Sequence, residues 1–437
     1  MTAGAGHRVA ASKGRQPPRV SPPTQRRRPS GESTRSTTVV GPASRPLLGY
    51  YLVLNATGLL LVVGLLMVAS ASMVSSLSAF GSAFTIVNRQ LLWAVVGLPL
   101  MWGASRLPPT WMRRLAYPLL IVAVLGVTAV LVPGVGASAN GARRWISLGG
   151  PLRFQPSEPA KLALVIFNAD VLARKAKLLG DWRHLLIPVL PLALFTAALV
   201  LLEPDMGTAM VLTGTAVAML FVAGASGRVM AALGAGTVAM TGALAVAAPY
   251  RLARLTSFVD PFADRNGTGY QAVQGLYALS GGGWSGVGLG ASRQKWGALP
   301  NAYTDYIFAI LGEDLGLAGT LLVLVLFSVL AYGGILIAFR APDLFSQLTA
   351  AGITAWIMVQ AVLNIGAVTS VLPITGIPLP LVSFGGSSLA VTMVALGLLL
   401  SIARGSPGTA QALARRAPLR TRLARAGGGQ RARAHPA

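Results

Sequence analysis

Long apolar stretches recur along this chain of 437 residues. An α-helix needs about 20 mainly apolar residues to cross the hydrocarbon core of a bilayer, and about ten segments here meet that length. Only 11% of the residues are charged, whereas soluble domains carry roughly 25%. The sequence therefore predicts an all-α, polytopic integral membrane protein with about ten transmembrane helices.

The predicted spans are separated by short polar segments, with one exception. A long loop, residues 250–305, precedes the eighth span. The spans are 49–72, 88–105, 117–134, 159–176, 184–202, 206–223, 229–249, 306–338, 347–369 and 384–403.

Basic residues predict the orientation of these spans. The segment before the first span carries nine Lys and Arg, and the segment after the last carries eight. Loops rich in Lys and Arg stay in the cytoplasm, so both termini are predicted there and the loop 250–305 outside. We expect a disordered basic tail over 1–47, a membrane domain over 48–404 and a second disordered basic tail over 405–437.

The basic tails lie next to membrane spans. This position favours contact with anionic membrane lipid or a cytoplasmic protein over nucleic-acid binding. We therefore expect no nucleic-acid partner.

Few side chains are available for chemistry. The chain has no cysteine and three histidines, which excludes thiol chemistry and Cys/His metal clusters. Acid–base chemistry must come mainly from the twelve Asp and Glu residues. Six of them are predicted on the outer side, which indicates an extracytoplasmic polar site: Glu158, Glu203, Asp205, Asp260, Asp264 and Asp305.

Asp305 is the strongest catalytic candidate. It lies where the polar segment 251–304 runs into the apolar stretch 306–310. A carboxylate at the mouth of a membrane helix is poorly solvated, so it is retained when it is paired or functional.

Two further clusters lie at predicted outer helix ends. Glu158 and Lys161 are i, i+3 neighbours entering the membrane after Gln155, and such a pair normally faces a cavity or other protein groups. The tight turn containing Glu203 and Asp205 has two readings, a helix cap by Asp205 or a part of the site, and both stay open.

The segment 280–290 contains many glycines. Its backbone either approaches a phosphate or an acyl chain closely, with Lys295 supplying positive charge, or is simply flexible. Near the last span, Ser383 and Ser387 provide either a close helix contact or part of a polar cavity.

Several ordered motifs over residues 48–404 resemble the SEDS family (shape, elongation, division, sporulation). They are Arg144-Trp145, Gln155-Pro156-Ser157-Glu158 with Lys161, Glu203-Pro204-Asp205 with Gly207-Thr208, Gly269-Tyr270-Gln271, Thr304-Asp305-Tyr306-Ile307-Phe308, and Pro380-Leu381-Val382-Ser383. The segment 250–261 and the basic tails are more similar to the division branch than to the elongation branch. Tyr303 and Tyr306 stand where the family commonly has His and Phe.

The resemblance implies a peptidoglycan glycosyltransferase that polymerises lipid II in the cell membrane at the division septum. It implies a class B penicillin-binding protein, the septal transpeptidase, and other divisome proteins as partners. The family's catalytic carboxylate maps onto Asp305.

On this reading Asp305 is the base that deprotonates the acceptor 4-hydroxyl. Cationic side chains stabilise the leaving lipid diphosphate, with a divalent cation, Mg²⁺ or Mn²⁺, as a further source of charge. No organic cofactor is expected. The expected substrate-binding residues are Arg144, Trp145, Gln155, Glu158, Lys161, Asp205, Arg251, Lys295, Ser383 and Ser387.

Two other function classes stay open. A lipid II flippase predicts ligand access to both membrane faces, and the one-sided placement of the polar residues argues against it. A non-catalytic divisome scaffold predicts that Asp305 is dispensable.

Overall fold

The computed structural model describes residues 47–139, 142–147, 149, 153–246, 258–406, 408–409 and 412. The predicted tails lie almost entirely outside the described residues, and so does the start of the loop 250–305. The helices are α1 Leu48–Phe80, α2 Thr85–Ala104, α3 Pro109–Leu131, α4 Ser157–Arg174, α5 Trp182–Leu186, α6 Leu190–Leu202, α7 Met206–Val222, α8 Gly227–Val246, α9 Tyr270–Gly281, α10 Ile307–Phe339, α11 Leu344–Val368 and α12 Gly386–Gly405.

Each predicted span coincides with one of these helices, the fifth span with α5 and α6 together. Six helical stretches within the described residues are long and apolar enough to cross a membrane, and α7 is a shorter apolar helix. The predicted polytopic helical fold is confirmed.

A small sheet departs from the all-α expectation. It lies between α3 and α4 and consists of β1 Gly136–Ala139, β2 Ala142–Ser147 and β3 Arg153–Phe154, paired antiparallel in the order β1-β2-β3. The sequence signal for it is the Asn-Gly pair between β1 and β2, which is the commonest pair in two-residue hairpin turns. The sheet carries Arg144 and Trp145.

Helix α10 is interrupted at Gly316, which has φ 67° and ψ −162°. This backbone conformation is essentially restricted to glycine. The part before it is buried inside the protein, while residues 317–339 form the membrane-crossing part, about 35 Å long at 1.5 Å per residue. The predicted span 306–338 is therefore two segments, because the chain bends at Gly316.

The helices pack around α10, α11 and α12. Helix α1 lies against α10, α2 against α12, and α11 against α4, α7 and α10. Arg404 at the end of α12 donates to the Tyr50 hydroxyl of α1 at 3.1 Å. We call the face with this contact the terminal face and the opposite face, with the sheet, the site face.

A buried carboxylate links two helices at the terminal face. Asp170 of α4 is fully buried and bonds Arg113 of α3 at 2.5 Å and Arg174 of α4 at 2.7 Å. Because both guanidinium groups compensate the buried charge, α3 and α4 are held together there.

Candidate active site

The site is built around residues 373–380, which we call the central loop. Two side chains of α11 hold it, since Gln360 and Asn364 are i, i+4 neighbours on one helix face. Gln360 Nε2 donates to the Pro378 carbonyl at 2.9 Å, and Asn364 Nδ2 donates to the Ile377 carbonyl at 2.7 Å. The central loop is therefore fixed against α11.

Asp305 lies against this loop. Asn364 also donates to its backbone carbonyl at 2.7 Å. A Cβ atom added to Gly376 would lie 3.6 Å from Asp305 Oδ2, so the carboxylate borders the central loop. The side chain is partly exposed. The structure thus presents the candidate base at the surface of the site.

Glu158 and Lys161 form an ion pair beneath the loop. Lys161 Nζ lies 3.0 and 2.9 Å from the two carboxylate oxygens and donates to Gln360 Oε1 at 2.9 Å. It also lies 5.3 Å from the ring centroid of Trp356. Both charged side chains are at least 97% buried. Because Lys161 is fully engaged, its expected role shifts from phosphate binding to support of the site.

Arg144 and Asp205 form a second polar cluster with Gln155. Asp205 caps α7 through Thr208 N at 3.0 Å, accepts from Gln155 Nε2 at 3.2 Å and lies 3.7 Å from Arg144. Arg144 also donates to two backbone carbonyls of the α6–α7 turn. Gln155 N donates to Ser387 Oγ at 3.1 Å. Asp205 is thus both a helix cap and part of a polar cluster, so the two readings of the sequence are compatible.

Glu203 is buried in the turn beside this cluster, and no hydrogen-bond partner reaches its carboxylate oxygens among the described residues. Burial raises its pKa to about 8, the charge of Asp205 adds to the rise and Arg144 opposes it. Glu203 is therefore mostly protonated at neutral pH, which removes the cost of a buried charge.

This pKa predicts a pH-dependent stability. A carboxyl whose pKa is higher in the folded state adds stability that is complete below the unfolded pKa of about 4.3 and is lost as pH rises through the folded value. The melting temperature in detergent should therefore fall as pH rises from about 4.3 to about 8 and level off above that. Glu203→Gln should flatten this slope, and an unchanged slope in that variant would refute the assignment.

The other expected site residues have structural contacts. Trp145 is half-buried on β2, opposite Ala137 of β1. Lys295 is buried and donates to the Gly290 carbonyl. Ser383 is buried, and its hydroxyl accepts from Leu379 N at 2.8 Å. Arg251 lies outside the described residues. Asp260 and Asp264 occupy exposed turns, where each accepts hydrogen bonds from nearby backbone amides.

Arg89 and Gln90 at the start of α2 were missed by sequence reasoning. Gln90 accepts from Gly385 N at 3.3 Å and donates to the Ser383 carbonyl at 3.2 Å, which fixes α2 beside the site. Arg89 stacks 4.6 Å over the Phe80 ring.

Tyr303 is within electrostatic reach of both Arg89 and Asp305. Burial raises the pKa of Tyr303, the positive charge of Arg89 opposes the rise, and the negative charge of Asp305 adds to it. Arg89 and Asp305 therefore both act electrostatically on one phenol group. The signal in the sequence is a polar Arg-Gln pair at the outer end of a span.

An apolar groove of about 350 Å³ opens beside these clusters. Helices α2, α3, α4 and α12 line it, from Phe154, Pro159 and Ser387 at the site face to Leu107 and Met112 toward the terminal face. Ser387 belongs both to the groove and to the polar cluster of Gln155. A linear apolar chain in this groove would thus place its polar end beside Arg144 and Asp205.

The close packing of α7 on the central loop gives a second testable prediction. A Cβ atom on Gly207 would meet the Thr375 carbonyl oxygen at 2.5 Å and also the Ile377 side chain. Gly207→Ala should displace the loop and cost about 1–3 kcal/mol of stability, the usual cost of overpacking. Thermal unfolding measures it, with Gly234→Ala, in open space on α8, as the control. Equal melting temperatures would contradict the packing.

The helical membrane fold and a carboxylate site on one face define a polytopic membrane protein with an interfacial polar site. The family model of the FtsW/RodA/SpoVE cell cycle proteins matches residues 51–407, and the chain belongs to this family. The resemblance seen in the motifs is confirmed.

Curated relatives extend over most of the chain. Stage V sporulation protein E of Bacillus subtilis (strain 168) is 42% identical, covering 75% of this chain and 89% of the relative. The probable peptidoglycan glycosyltransferase FtsW of Hahella chejuensis is 41% identical, covering 82% of this chain and 89% of the relative. That of Mycobacterium tuberculosis (strain H37Rv) is 39% identical, covering 84% of this chain and 70% of the relative. These similarities support the division branch.

Solved structures share the fold. A chain from a peptidoglycan synthase complex, described as coordinating polymerization and crosslinking, has a TM-score of 0.65 and 29% identity, covering 82% of this chain and 98% of its own. The rod shape determining protein RodA of Thermus thermophilus has a TM-score of 0.57 and 26% identity, covering 81% of this chain and 96% of its own.

Proposed function

We propose that this protein is a peptidoglycan glycosyltransferase that polymerises lipid II into glycan strands during septal wall synthesis. The observation that carries the proposal is the placement of a partly exposed carboxylate, Asp305, against the central loop, which also packs on α7 next to the polar cluster of Arg144, Asp205 and Gln155. An apolar groove reaches the same cluster. The similarity to relatives named as peptidoglycan glycosyltransferases supports this function.

The reaction requires one proton transfer and one displacement. The acceptor 4-hydroxyl oxygen attacks the anomeric carbon of the donor sugar, and its proton passes to the Asp305 carboxylate. The bond between that carbon and the diphosphate oxygen breaks, and the electron pair leaves with the lipid diphosphate. A new glycosidic bond and a free lipid diphosphate are the products.

The leaving diphosphate needs positive charge. Arg144 is partly exposed at the outer end of the groove, and Arg89 lies near Tyr303 on the Asp305 side. Lys161 and Lys295 are buried, whereas Arg89 and Arg144 are both partly exposed. The two arginines are therefore the better partners for the diphosphate. Guanidinium groups also match phosphate geometry.

A divalent cation is a further part of the proposal. No group of three or more His, Asp or Glu within the described ranges could hold a metal ion on its own. The side chains described do not form a protein-only metal site. Mg²⁺ or Mn²⁺ would instead enter with the substrate diphosphate, since Mg²⁺ commonly binds through substrate phosphates and one or two carboxylates.

Partners and location follow from the same function. The solved synthase complex that this fold resembles couples polymerization to crosslinking, which supports a class B penicillin-binding protein as the transpeptidase partner. The basic tails favour cytoplasmic termini by the positive-inside rule, and the site would then face outward. Other divisome proteins would bring the enzyme to the septum.

Two alternatives make different predictions. A lipid II flippase needs a polar path to both faces. Asp170, the buried carboxylate near the terminal face, is instead paired with Arg113 and Arg174. Because it is not a free polar group on such a path, this pairing favours the polymerase. A scaffold without activity would give no reason for a partly exposed carboxylate, Asp305, against the central loop.

The test is lipid II polymerisation by the purified protein with its transpeptidase partner in detergent. Glycan strands from the wild type, lost in Asp305→Ala, would support the proposal. Equal glycan from both would place the chemistry elsewhere, and glycan from neither, with flipping in vesicles, would favour the flippase.

A further inference from the structure

The glycine-rich segment between α9 and α10 presents large apolar side chains on its surface. Trp284 is 81% exposed, Leu289 58% and Val287 47%. Exposed apolar clusters of this kind mark interaction surfaces. We call these three side chains the apolar tip.

The backbone beneath the apolar tip is held at many points. Val287 N and Gly288 N donate to the carbonyls of Glu313 and Asp314 at 3.0 Å each. The Glu313 carboxylate accepts from Arg293 N at 2.9 Å. The Asp314 carboxylate accepts from Gly290 N at 3.3 Å. Both carboxylates are buried.

These contacts decide between the two readings of the glycine-rich sequence. The glycines allow close backbone packing on α10, since a Cβ atom on Gly286 would meet the Asp314 carbonyl. The contacts therefore favour a packed segment over a flexible linker. This segment supports the apolar tip and is held to α10 by hydrogen bonds.

The position of the apolar tip along the membrane normal follows from α10. The Gly283 and Trp284 carbonyls accept from Leu317 N at 2.9 Å and Ala318 N at 3.2 Å. These amides begin the membrane-crossing part of α10, where Leu321 and Val325 are exposed. Trp284 therefore lies at the outer end of the membrane-crossing part of α10 and continues its exposed apolar face.

We propose that the apolar tip binds the phospholipid surface of the leaflet on the site face and fixes the depth of the site in the membrane. Tryptophan, like tyrosine, concentrates at membrane–water interfaces, because its ring is amphipathic. The tip shares its support with the first part of α10, which begins two residues after Asp305. Lipid contact by the tip would hold the candidate base at a constant distance from the headgroups. This inference does not depend on the proposed enzymatic activity.

The absence of cysteine in the chain makes the test direct. Trp284→Cys and Leu289→Cys are labelled with a nitroxide in the full-length protein in phosphatidylglycerol/phosphatidylcholine nanodiscs. Accessibility to oxygen, which partitions into lipid, is compared with accessibility to a water-soluble nickel chelate. Leu321→Cys serves as the lipid reference and Asn266→Cys, in an exposed polar turn, as the water reference.

We expect labels at 284 and 289 to lose most of the nickel accessibility seen at 266 and to approach the oxygen accessibility seen at 321. Nickel accessibility equal to that at 266 would overturn the inference. The inference would also be overturned if the labels at 284 and 289 were accessible to nickel in the isolated protein and became shielded from both reagents only with the transpeptidase partner bound. That result would assign the tip to a protein contact.

A second measurement uses tryptophan fluorescence and replaces Trp284 alone. Brominated lipid quenches tryptophan fluorescence at the bilayer surface, and Trp284→Phe should lose a quenchable fraction relative to the wild type. An unchanged quenchable fraction would contradict lipid contact by Trp284.

Discussion

Replacement of Asp305 by Asn is expected to lower the rate of lipid II polymerisation by about 10²–10⁴-fold, the range that a positioned general base contributes. The amide keeps the shape of the side chain but does not accept the proton of the acceptor hydroxyl. The carboxylate is partly exposed, so the stability of the fold should change little. Initial rates of glycan formation with the transpeptidase partner measure the effect.

Asp260→Asn is the matched control. That carboxylate occupies an exposed turn of the same outer segment and accepts from Phe262 N at 3.0 Å. It should keep nearly full activity. Full activity of Asp305→Asn at a normal melting temperature would show that another group takes the proton.

Replacement of Lys161 by Met has the second large expected effect, a loss of stability of about 3–5 kcal/mol, because removing one partner leaves a buried charge uncompensated. The Glu158 carboxylate would remain almost fully buried and would lose the ammonium group that lies within 3.0 Å of both its oxygens. Gln360 Oε1 would also lose one of its two donors and keep the other, Trp356 Nε1. Unfolding of the detergent-solubilised protein, followed by temperature or denaturant, measures the loss.

The double variant Glu158→Gln/Lys161→Met provides the control. It removes both charges together, and replacing a whole buried pair is often neutral. The double variant should therefore be more stable than Lys161→Met alone. If the two variants unfold alike, the pair does not carry the stability of this region.

Much of the fold follows from hydrophobic length. The ten predicted spans coincide with helices because each long apolar stretch has to satisfy its own backbone hydrogen bonds in lipid. The sequence also predicts the position of Asp305 at a helix mouth. It predicts the contact between Glu158 and Lys161 as well, since their i, i+3 spacing on a helix brings the two side chains together.

The long-range contacts could not be predicted from the sequence in the same way. Gln360 lies in the middle of an apolar span, and only the packing of α11 on α4 shows that it joins Lys161 to the central loop. Arg89 did not stand out in the sequence, and only the fold brings its charge within electrostatic reach of Tyr303. Lys295 looked available for phosphate, yet the folded segment buries it on the Gly290 carbonyl.

Apolar length, helical spacing and contiguous motifs were enough to predict the membrane class, the order of the helices and the family, and they pointed to Asp305 as the candidate base. The tertiary structure alone decided which polar groups share one site, where α10 bends at Gly316 and what the glycine-rich segment packs against. These features depend on contacts between residues far apart in the chain, and local spacing carries no information about them.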